Sequence, residues 1–528
     1  MGLKNWRWSN MLAFKFPSEK TESDENKWTE KILFLIFAVC LIHSFWGISG
    51  GWNNPLIDVH AFRQTQTAIS VFYLLKGSPW LAYETPVLGV PWSIPLEFPL
   101  YQGIVAILVK LLQTPIDQTG RFVSAFFFYL SLIPIYVILS YLQVARAFRW
   151  LFLSLFLASP LYLFWSRTFM IESTALFFSL AYLACIPVYF RYKSPILALL
   201  ACLCGIAASL TKVTTMAGFL ILACVWVGAN WVKKESSRNL AKDLLIPVVV
   251  FIIIPFLLAK IWVNFTDAQK LLNPMAADFI TSKALRDWNF GTIAQKLSRS
   301  QWRNYLTRTL NDVFGGLIIS VMALVILPIF TSKKLLSYGL SLLFILTVAI
   351  FTNLHFVHNY YPYANAIFLL GASGFTIMVL IEKKRKIWQS VGWFFLALIL
   401  LSQLQFYRAF WYPTKLHGDS YLEIASQVQT VTSPEGVLLI YGDYWSSLIP
   451  YYSQRRALMI HNQASEEESK NALYKLSRAN YQVEAIVFCR KTRENREDKK
   501  YLNSLYNPND KPVFSNKRCD TYTTRHGK

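Results

Sequence analysis

The sequence predicts a polytopic α-helical membrane protein of about eleven transmembrane helices, with surface helices in the first outer loop and a small C-terminal α/β domain. Three observations carry that expectation. Of the 528 residues 54% are hydrophobic and only 16% charged, against about 25% charged in soluble domains. Apolar runs recur at the ~17–25 residues that a membrane helix needs. The net charge of +22 sits in short basic clusters between those runs, which is how membrane helices are oriented and not how a nucleic-acid-binding face is built. The bilayer is therefore an expected partner, and nucleic acid is not.

Taken in order, residues 1–30 form a mixed-charge cytoplasmic segment, and 31–49 is the first apolar run. That run ends "GISGGWNN" without a small-residue cleavage site, so it is a retained span and not a signal peptide. Further spans are expected at 120–142, 150–165, 172–190, 195–210, 214–232, 244–262, 314–330, 335–352, 361–381 and 387–407. The segment "PLYQGIVAILVKLLQ", 99–113, is short and interrupted by Lys110, and whether it crosses fixes the sidedness of all that follows. If it stays on the surface as an amphipathic helix, fourteen basic residues fall in the cytoplasmic loops (146–149, 191–193, 233–242, 333–334 and 383–386). Only Arg167 and Lys212 then fall in the short outer turns. The positive-inside rule selects that arrangement. It divides the chain into the N-terminal segment, a transmembrane domain over 31–410 with outer loops 50–119 and 263–313, and an outer domain over 411–528.

In that last part, "VLLIY" (437–441) and "EAIVF" (484–488) read as strands between helical stretches near 419–431 and 465–479, an α/β alternation. Cys489 and Cys519 are the two cysteines in polar sequence, and an oxidising compartment permits them to pair. The other five lie in apolar runs, where cysteine behaves as a small hydrophobe.

With sidedness fixed, the unusual polar residues fall at one membrane depth. Asp58, His60 and Arg63 stand in "PLIDVHAFRQTQTA"; Glu97 in "PLEFPLYQ"; Arg167 and Glu172 in "WSRTFMIES"; Lys212 in "SLTKVTT"; His355, His358 and Tyr361 in "NLHFVHNYYPY". Charge at a membrane edge is costly unless paired or hydrated, so each is a functional candidate. Each also has a plain structural reading. Asp58 is placed to cap a helix starting near Ala61. Arg167 and Lys212 are placed to snorkel to headgroups. Glu172 is placed to pair with Arg167, and the histidines to sit in an aromatic belt with Tyr360, Tyr361 and Tyr363. Glu97, between Pro95 and Pro99, has no local partner in the sequence.

Together they suit a lipid-phosphate-linked sugar, whose tail stays in the bilayer while its phosphate sits at the interface. Lys and Arg would hold the departing phosphate. A carboxylate would take the proton of an acceptor hydroxyl attacking the anomeric carbon, with inversion.

At these residues the sequence resembles the GT-C glycosyltransferases, in the branch that includes protein O-mannosyltransferases and bacterial lipid A aminoarabinose transferases. The resemblance rests on Asp58, the "EFPLY" of 97–101, the "SRTFMIE" of 166–172 and the "LTK" of 210–212, within about residues 31–380. It implies horizontal helices in the first loop and a soluble C-terminal domain. It implies transfer from a polyprenyl-phosphate-linked sugar donor to a glycolipid, glycan or protein acceptor, on the extracytoplasmic face of a bacterial plasma membrane. Asp58 and Glu172 are then the catalytic candidates; His60, Arg63, Tyr101, Arg167, Lys212, His355, His358 and Tyr361 are the donor-phosphate or substrate candidates. The chain departs from the family pattern at Val59, where a second acid is usual, at Glu172, where some relatives have Asp, and at Phe98, where a basic residue follows the Glu. In the aminoarabinose enzymes the Glu and a His from a later outer loop bind a metal. Loop 263–313 has no His here, so a divalent ion at Glu97 is the one cofactor weighed, and none is assigned.

A polymerase, ligase or transporter of lipid-linked glycans is the second reading. A transporter gathers its ionisable residues near the midplane, often between internal repeats; this chain gathers them at one edge and shows no repeat.

Overall fold

The computed structural model describes residues 24–233, 239–412, 420–461, 463–489 and 511–524. Most of the N-terminal segment 1–30, with Lys234 and Arg238 of the expected basic loops, lies outside the described residues.

All eleven expected spans fall on helical backbone, with local breaks. Seven described helices are long and apolar enough to cross a membrane, from Lys27–Ser49 to Lys386–Trp411. The chain is an integral membrane protein. The expected spans at 195–210 and 335–352 are 17-residue apolar helices, Pro195–Thr211 and Lys334–Ile350. Two others are not single rods. Residues 150–165 break at Ser159, whose hydroxyl donates to the Val313 carbonyl (3.0 Å), and Pro160 opens a new short helix, as proline at a first helical position does. Residues 314–330 turn through 90° from a helix, Arg299–Phe314, that lies inside the expected outer loop 263–313. The corner is Gly315 at φ +76, where a Cβ would stand 2.3 Å from the Ser402 carbonyl oxygen, so only glycine fits.

The segment at 99–113 is a helix over Leu100–Leu112. At 1.5 Å per residue it is about 20 Å long, short of a ~30 Å hydrocarbon core. Tyr101, Gln102, Val105 and Ala106 face inward, while Ile107, Leu111 and Leu112 are exposed. It packs beside the helices Ala61–Leu75 and Ile116–Leu130.

The C-terminal residues build a five-stranded sheet from β1 (Val437–Tyr441), β2 (Arg456–Ile460), β3 (Val483–Cys489), β4 (Phe514–Ser515) and β5 (Cys519–Thr523), in the order β2-β1-β3-β5-β4. β1 runs parallel to β2 and β3, and β5 antiparallel to β3 and β4. Both expected strands are present, and Cys489 and Cys519 are disulfide-bonded across the β3–β5 pair.

The free edge of β2 is closed by the first loop. Ala457 N–H donates to Pro86 O (2.9 Å), Met459 N–H to Val87 O (3.0 Å), and Gly89 N–H to Ala457 O (3.2 Å). Asn273, fully buried in the second loop, donates to the carbonyls of Leu88, Gly89 and Pro91 at 2.9–3.2 Å. One apolar core therefore runs from Leu56, Ile69 and Val87 of the first loop into Leu439, Leu458 and Ile486 of the sheet. A second core fills the helical bundle. The polar candidates lie where the two meet.

Candidate active site

The loop after the first span is held by Arg121, which is 1% exposed. Its guanidinium donates to the carbonyls of Trp52 (2.9 Å), Asn54 and Pro55 (3.3 Å). This delivers Asp58 onto Arg167, whose Nη2 donates to Asp58 Oδ2 at 2.6 Å, while the Gln64 amide donates to Oδ1. Gln64 Oε1 accepts from Phe169 N–H (3.0 Å), so one glutamine ties the Asp58 loop to the Arg167 turn. The expected capping role of Asp58 is not what its carboxylate does. His60 is the residue before the helix Ala61–Leu75, no side chain caps that end, and Asp58 offers Ala61 only its backbone carbonyl. His60 sits at φ 56, a left-handed conformation costing a non-glycine residue about 1 kcal/mol or more. It is locked there by a 2.8 Å hydrogen bond between Nε2 and Asn359 and by ring contacts with Trp165, His358 and Tyr360.

A second pair joins Lys212 Nζ to Glu172 Oε2 at 2.5 Å, both buried. Glu172 opens the helix Glu172–Tyr192, where the helix dipole favours a carboxylate. The expected Glu172–Arg167 pair is thus replaced by two crosswise pairs. Snorkelling is replaced as well, because Arg167 is 1% and Lys212 7% exposed, and each has a carboxylate to reach inside the protein. A third pair, Arg63 with Glu97, gives Glu97 the partner that its sequence neighbours lack. Burial opposes the charge on Arg63, but Glu97, with Tyr360, Tyr361 and Glu172 beyond it, outweighs burial and holds that guanidinium above the usual arginine range. Burial lowers the pKa of the Lys212 ammonium and Glu172 pulls it back.

The remaining wall is residues 352–361. Tyr360 and Tyr361 are stacked at 4.9 Å, and Lys212 Nζ lies 4.1 Å from the Tyr361 ring centroid and 5.1 Å from that of Tyr360. Arg308 donates to the carbonyls of His355 (2.7 Å), Phe356 (3.2 Å) and His358 (3.4 Å), fixing the segment. His355 Nδ1 is 2.8 Å from the Phe351 carbonyl oxygen. Glu172 Oε1, Gln66 Nε2, His355 Nε2 and His358 Nδ1 are all buried without a hydrogen-bond partner among the described residues. Leaving such atoms unmatched costs about 1–3 kcal/mol each, a cost that a polar ligand bound here would relieve.

The structure gathers His60, Arg63, Glu97, Glu172, Lys212, His355, His358 and Tyr361 around the stacked tyrosines, and sets the Asp58–Arg167 pair next to them in the chain, two residues before His60. It sets Tyr101 apart: the ring is fully buried behind Phe169, and its hydroxyl donates to Gly120 O (2.7 Å). The donor set around Glu97 does not fit a divalent ion, because the guanidinium of Arg63 already occupies the carboxylate and no group of three His, Cys, Asp or Glu side chains converges among the described residues. Sequence reasoning missed Arg121, Arg308 and Asn359. Arg121 carried a signal, a charge inside an apolar run.

Breaking one half of a buried pair strands the other charge, at about 3–5 kcal/mol. Lys212→Met is therefore expected to lower the melting temperature sharply, and Lys212→Met/Glu172→Gln to recover most of the loss; a double variant no more stable than the single one would sink the pairing argument. Burial above all holds His355 down at about 4 and His358 at about 3, the Lys212 charge adding to both. Unfolded imidazoles titrate near 6.5, so below that the unfolded chain binds more protons. Stability is full above about pH 6.5 and is lost as pH falls toward about 4. A thermal melt at several pH values should show this slope, and His355→Gln/His358→Gln should flatten it.

No protein-family model matches the chain, and no curated protein matches it by sequence. Solved structures do match in shape. ArnT from Cupriavidus metallidurans in the apo state aligns with a TM-score of 0.57 at 11% identity, over 95% of this chain and 98% of that one. The same protein bound to undecaprenyl phosphate aligns at 0.56 and 12% identity, over 94% and 98%. Arabinofuranosyltransferase AftD from Mycobacteria aligns at 0.53 and 13% identity, over 94% of this chain but 40% of that one. Over nearly its whole length the chain has the GT-C fold seen in these structures.

Proposed function

We propose that the chain is an inverting glycosyltransferase that moves a sugar from a polyprenyl-phosphate donor to an acceptor hydroxyl on the outer face of the membrane. The observation that carries this reading is the convergence of the Arg63–Glu97 and Lys212–Glu172 pairs and several unmatched polar atoms at one end of a lipid-embedded bundle, with the Asp58–Arg167 pair next to them in the chain at His60. An amphipathic donor reaches such a place with its tail in the bilayer and its phosphate among Lys212, Arg63 and Arg167. The fold relative in complex with undecaprenyl phosphate supports that donor class.

In the proposed step the acceptor oxygen attacks the anomeric carbon and the bond from that carbon to the phosphate oxygen breaks. The electron pair leaves on the phosphate, and the acceptor proton passes to a carboxylate. Asp58 is the base we assign. Arg167 and Gln64 orient its oxygens, and each carboxylate oxygen has a second lone pair to accept an O–H. Glu172 holds Lys212 at the phosphate. His60, through Asn359, and His355 and His358, through Arg308, shape the wall on which the sugar rests.

Turnover at saturating donor, per folded molecule, is expected to fall about 10²-fold or more in Asp58→Asn, the scale of lost general-base catalysis. Glu172→Gln should instead weaken donor binding more than turnover. Because Asp58 is paired and not a cap, its Asn variant should also be less stable, so the comparison needs the folded fraction. A variant turning over within a few-fold of the parent would pass the role of base to Glu172.

The sidedness belongs to the same proposal, with loops 50–119 and 263–313 and the sheet outside and Lys383–Lys386 inside. Cysteines placed at Gln113 and Gln454 should react with a membrane-impermeant thiol reagent on intact cells, and one at Lys384 only after permeabilisation. The reverse pattern would put the site on the cytoplasmic face.

A further inference from the structure

A cavity of about 470 Å³ that the proposed chemistry does not use lies behind the Asp58 loop, where the segment after the first span, the start of the helix Ile116–Leu130 and residues 451–454 meet. It is within the size range of small-molecule sites. Its walls are built, not incidental. Asp117 accepts from the hydroxyls of Tyr451 and Tyr452 (2.9 Å for the latter), which fixes both rings across the opening. The Gln118 amide donates to Asn53 Oδ1 at 2.9 Å. That leaves the Asn53 amino group and the Gln118 carbonyl oxygen without a hydrogen-bond partner among the described residues, and the amide of Gln454, also lining the space, is exposed. Amides, a carboxylate and aromatic faces are the groups that recognise sugar hydroxyls and ring C–H faces.

The charge of the site argues for a neutral head. Among the described residues the lining holds no cation. Arg121, one turn along from Asp117, spends its guanidinium on the carbonyls of Trp52, Asn54 and Pro55. A phosphate here would face the Asp117 carboxylate directly, with only Arg121 behind it, outside the lining and already engaged by backbone carbonyls. The position argues for a lipid. Gln118, Phe122 and Phe126 stand at i, i+4 and i+8 of a membrane-spanning helix, hence on one face. Both phenylalanines are 50% exposed, stacked at 6.2 Å below the cavity mouth. Polar groups at the top and an apolar aromatic strip running into the bilayer match a molecule with a sugar head and acyl tails.

We infer that this cavity seats the sugar headgroup of a neutral glycolipid, at a binding site of its own separate from the proposed transfer centre. The wall between the cavity and the Asp58–Arg167 pair is the segment from Pro55 to Asp58. Pro55 lines the cavity, and Leu56 N–H donates to the Tyr452 hydroxyl. The head is thus held against the back of the loop that carries Asp58, beside the reacting atoms and not among them.

The test is lipid retention by the full chain, read by native mass spectrometry after reconstitution in phosphatidylcholine vesicles and a delipidating wash. One set of vesicles is doped with monogalactosyldiacylglycerol and the other with phosphatidic acid. The parent should retain the galactolipid and not the phosphatidic acid. Asn53→Ala/Gln118→Ala should lose at least about tenfold of that retention, as expected when two hydrogen bonds are removed. Gln118→Trp, which fills the cavity from a half-buried position, should do the same if the double variant folds poorly. Asp58→Asn should retain the galactolipid as the parent does, so a failed catalytic proposal and a failed lipid site give different results. Undiminished retention in both cavity variants, or equal retention of phosphatidic acid, overturns the inference. Displacement by free methyl galactoside as effective as by the galactolipid overturns the lipid source and leaves a free sugar in its place.

Discussion

The arrangement depends on the price of keeping ionised groups away from water. Arg167, Lys212, Glu172 and Asp58 are all buried at one end of an apolar bundle, and an unpaired charge there costs several kcal/mol. Pairing offsets that cost only if the partners are brought together from distant parts of the chain. Asp58–Arg167 locks the first loop to the turn at 166–168, and Lys212–Glu172 locks the start of one helix to the turn between two others. The pairs are therefore also the joints that set the shape of the site.

The joints are supported from behind by side chains whose hydrogen bonds go to backbone carbonyls. Arg121 collects three carbonyls of the first loop, Arg308 three of the 355–358 segment, and Asn273 three of the 88–91 segment. Each replaces water for carbonyls that have no regular secondary structure to satisfy them, and fixes a loop in the place where a side chain from it is needed. The C-terminal sheet belongs to the same scheme. By pairing β2 with residues 86–89 it extends its own edge and stiffens the first loop in one contact, which also removes an exposed strand edge.

What the pairs leave unmatched gives the site its chemical character. Glu172 Oε1 and the unmatched nitrogens of His355 and His358 lie near Lys212 and the stacked tyrosines, and Gln66 Nε2 lies beside Arg63. Burial keeps both imidazoles neutral, so they offer hydrogen bonds and not charge, and the positive charge of the site is concentrated on Lys212, Arg63 and Arg167.

The sequence by itself determined the fold class, a helical membrane protein, because span length is a local property that a bilayer reads directly. It also marked Asp58, Glu97, Arg167, Glu172 and Lys212, since a charge at a span end stands out against apolar neighbours. The strands at 437–441 and 484–488 and the Cys489–Cys519 pairing were legible for similar reasons of composition and pattern. Only the tertiary structure decided which charge meets which. Arg167 and Glu172 are five residues apart and invite pairing, yet each takes a partner from far along the chain. It turned Asp58 from a helix cap into half of an ion pair, withdrew Tyr101 into the core, and broke the spans at Ser159 and Gly315. Those outcomes depend on distances between segments that are remote in sequence, and no local pattern carries that information.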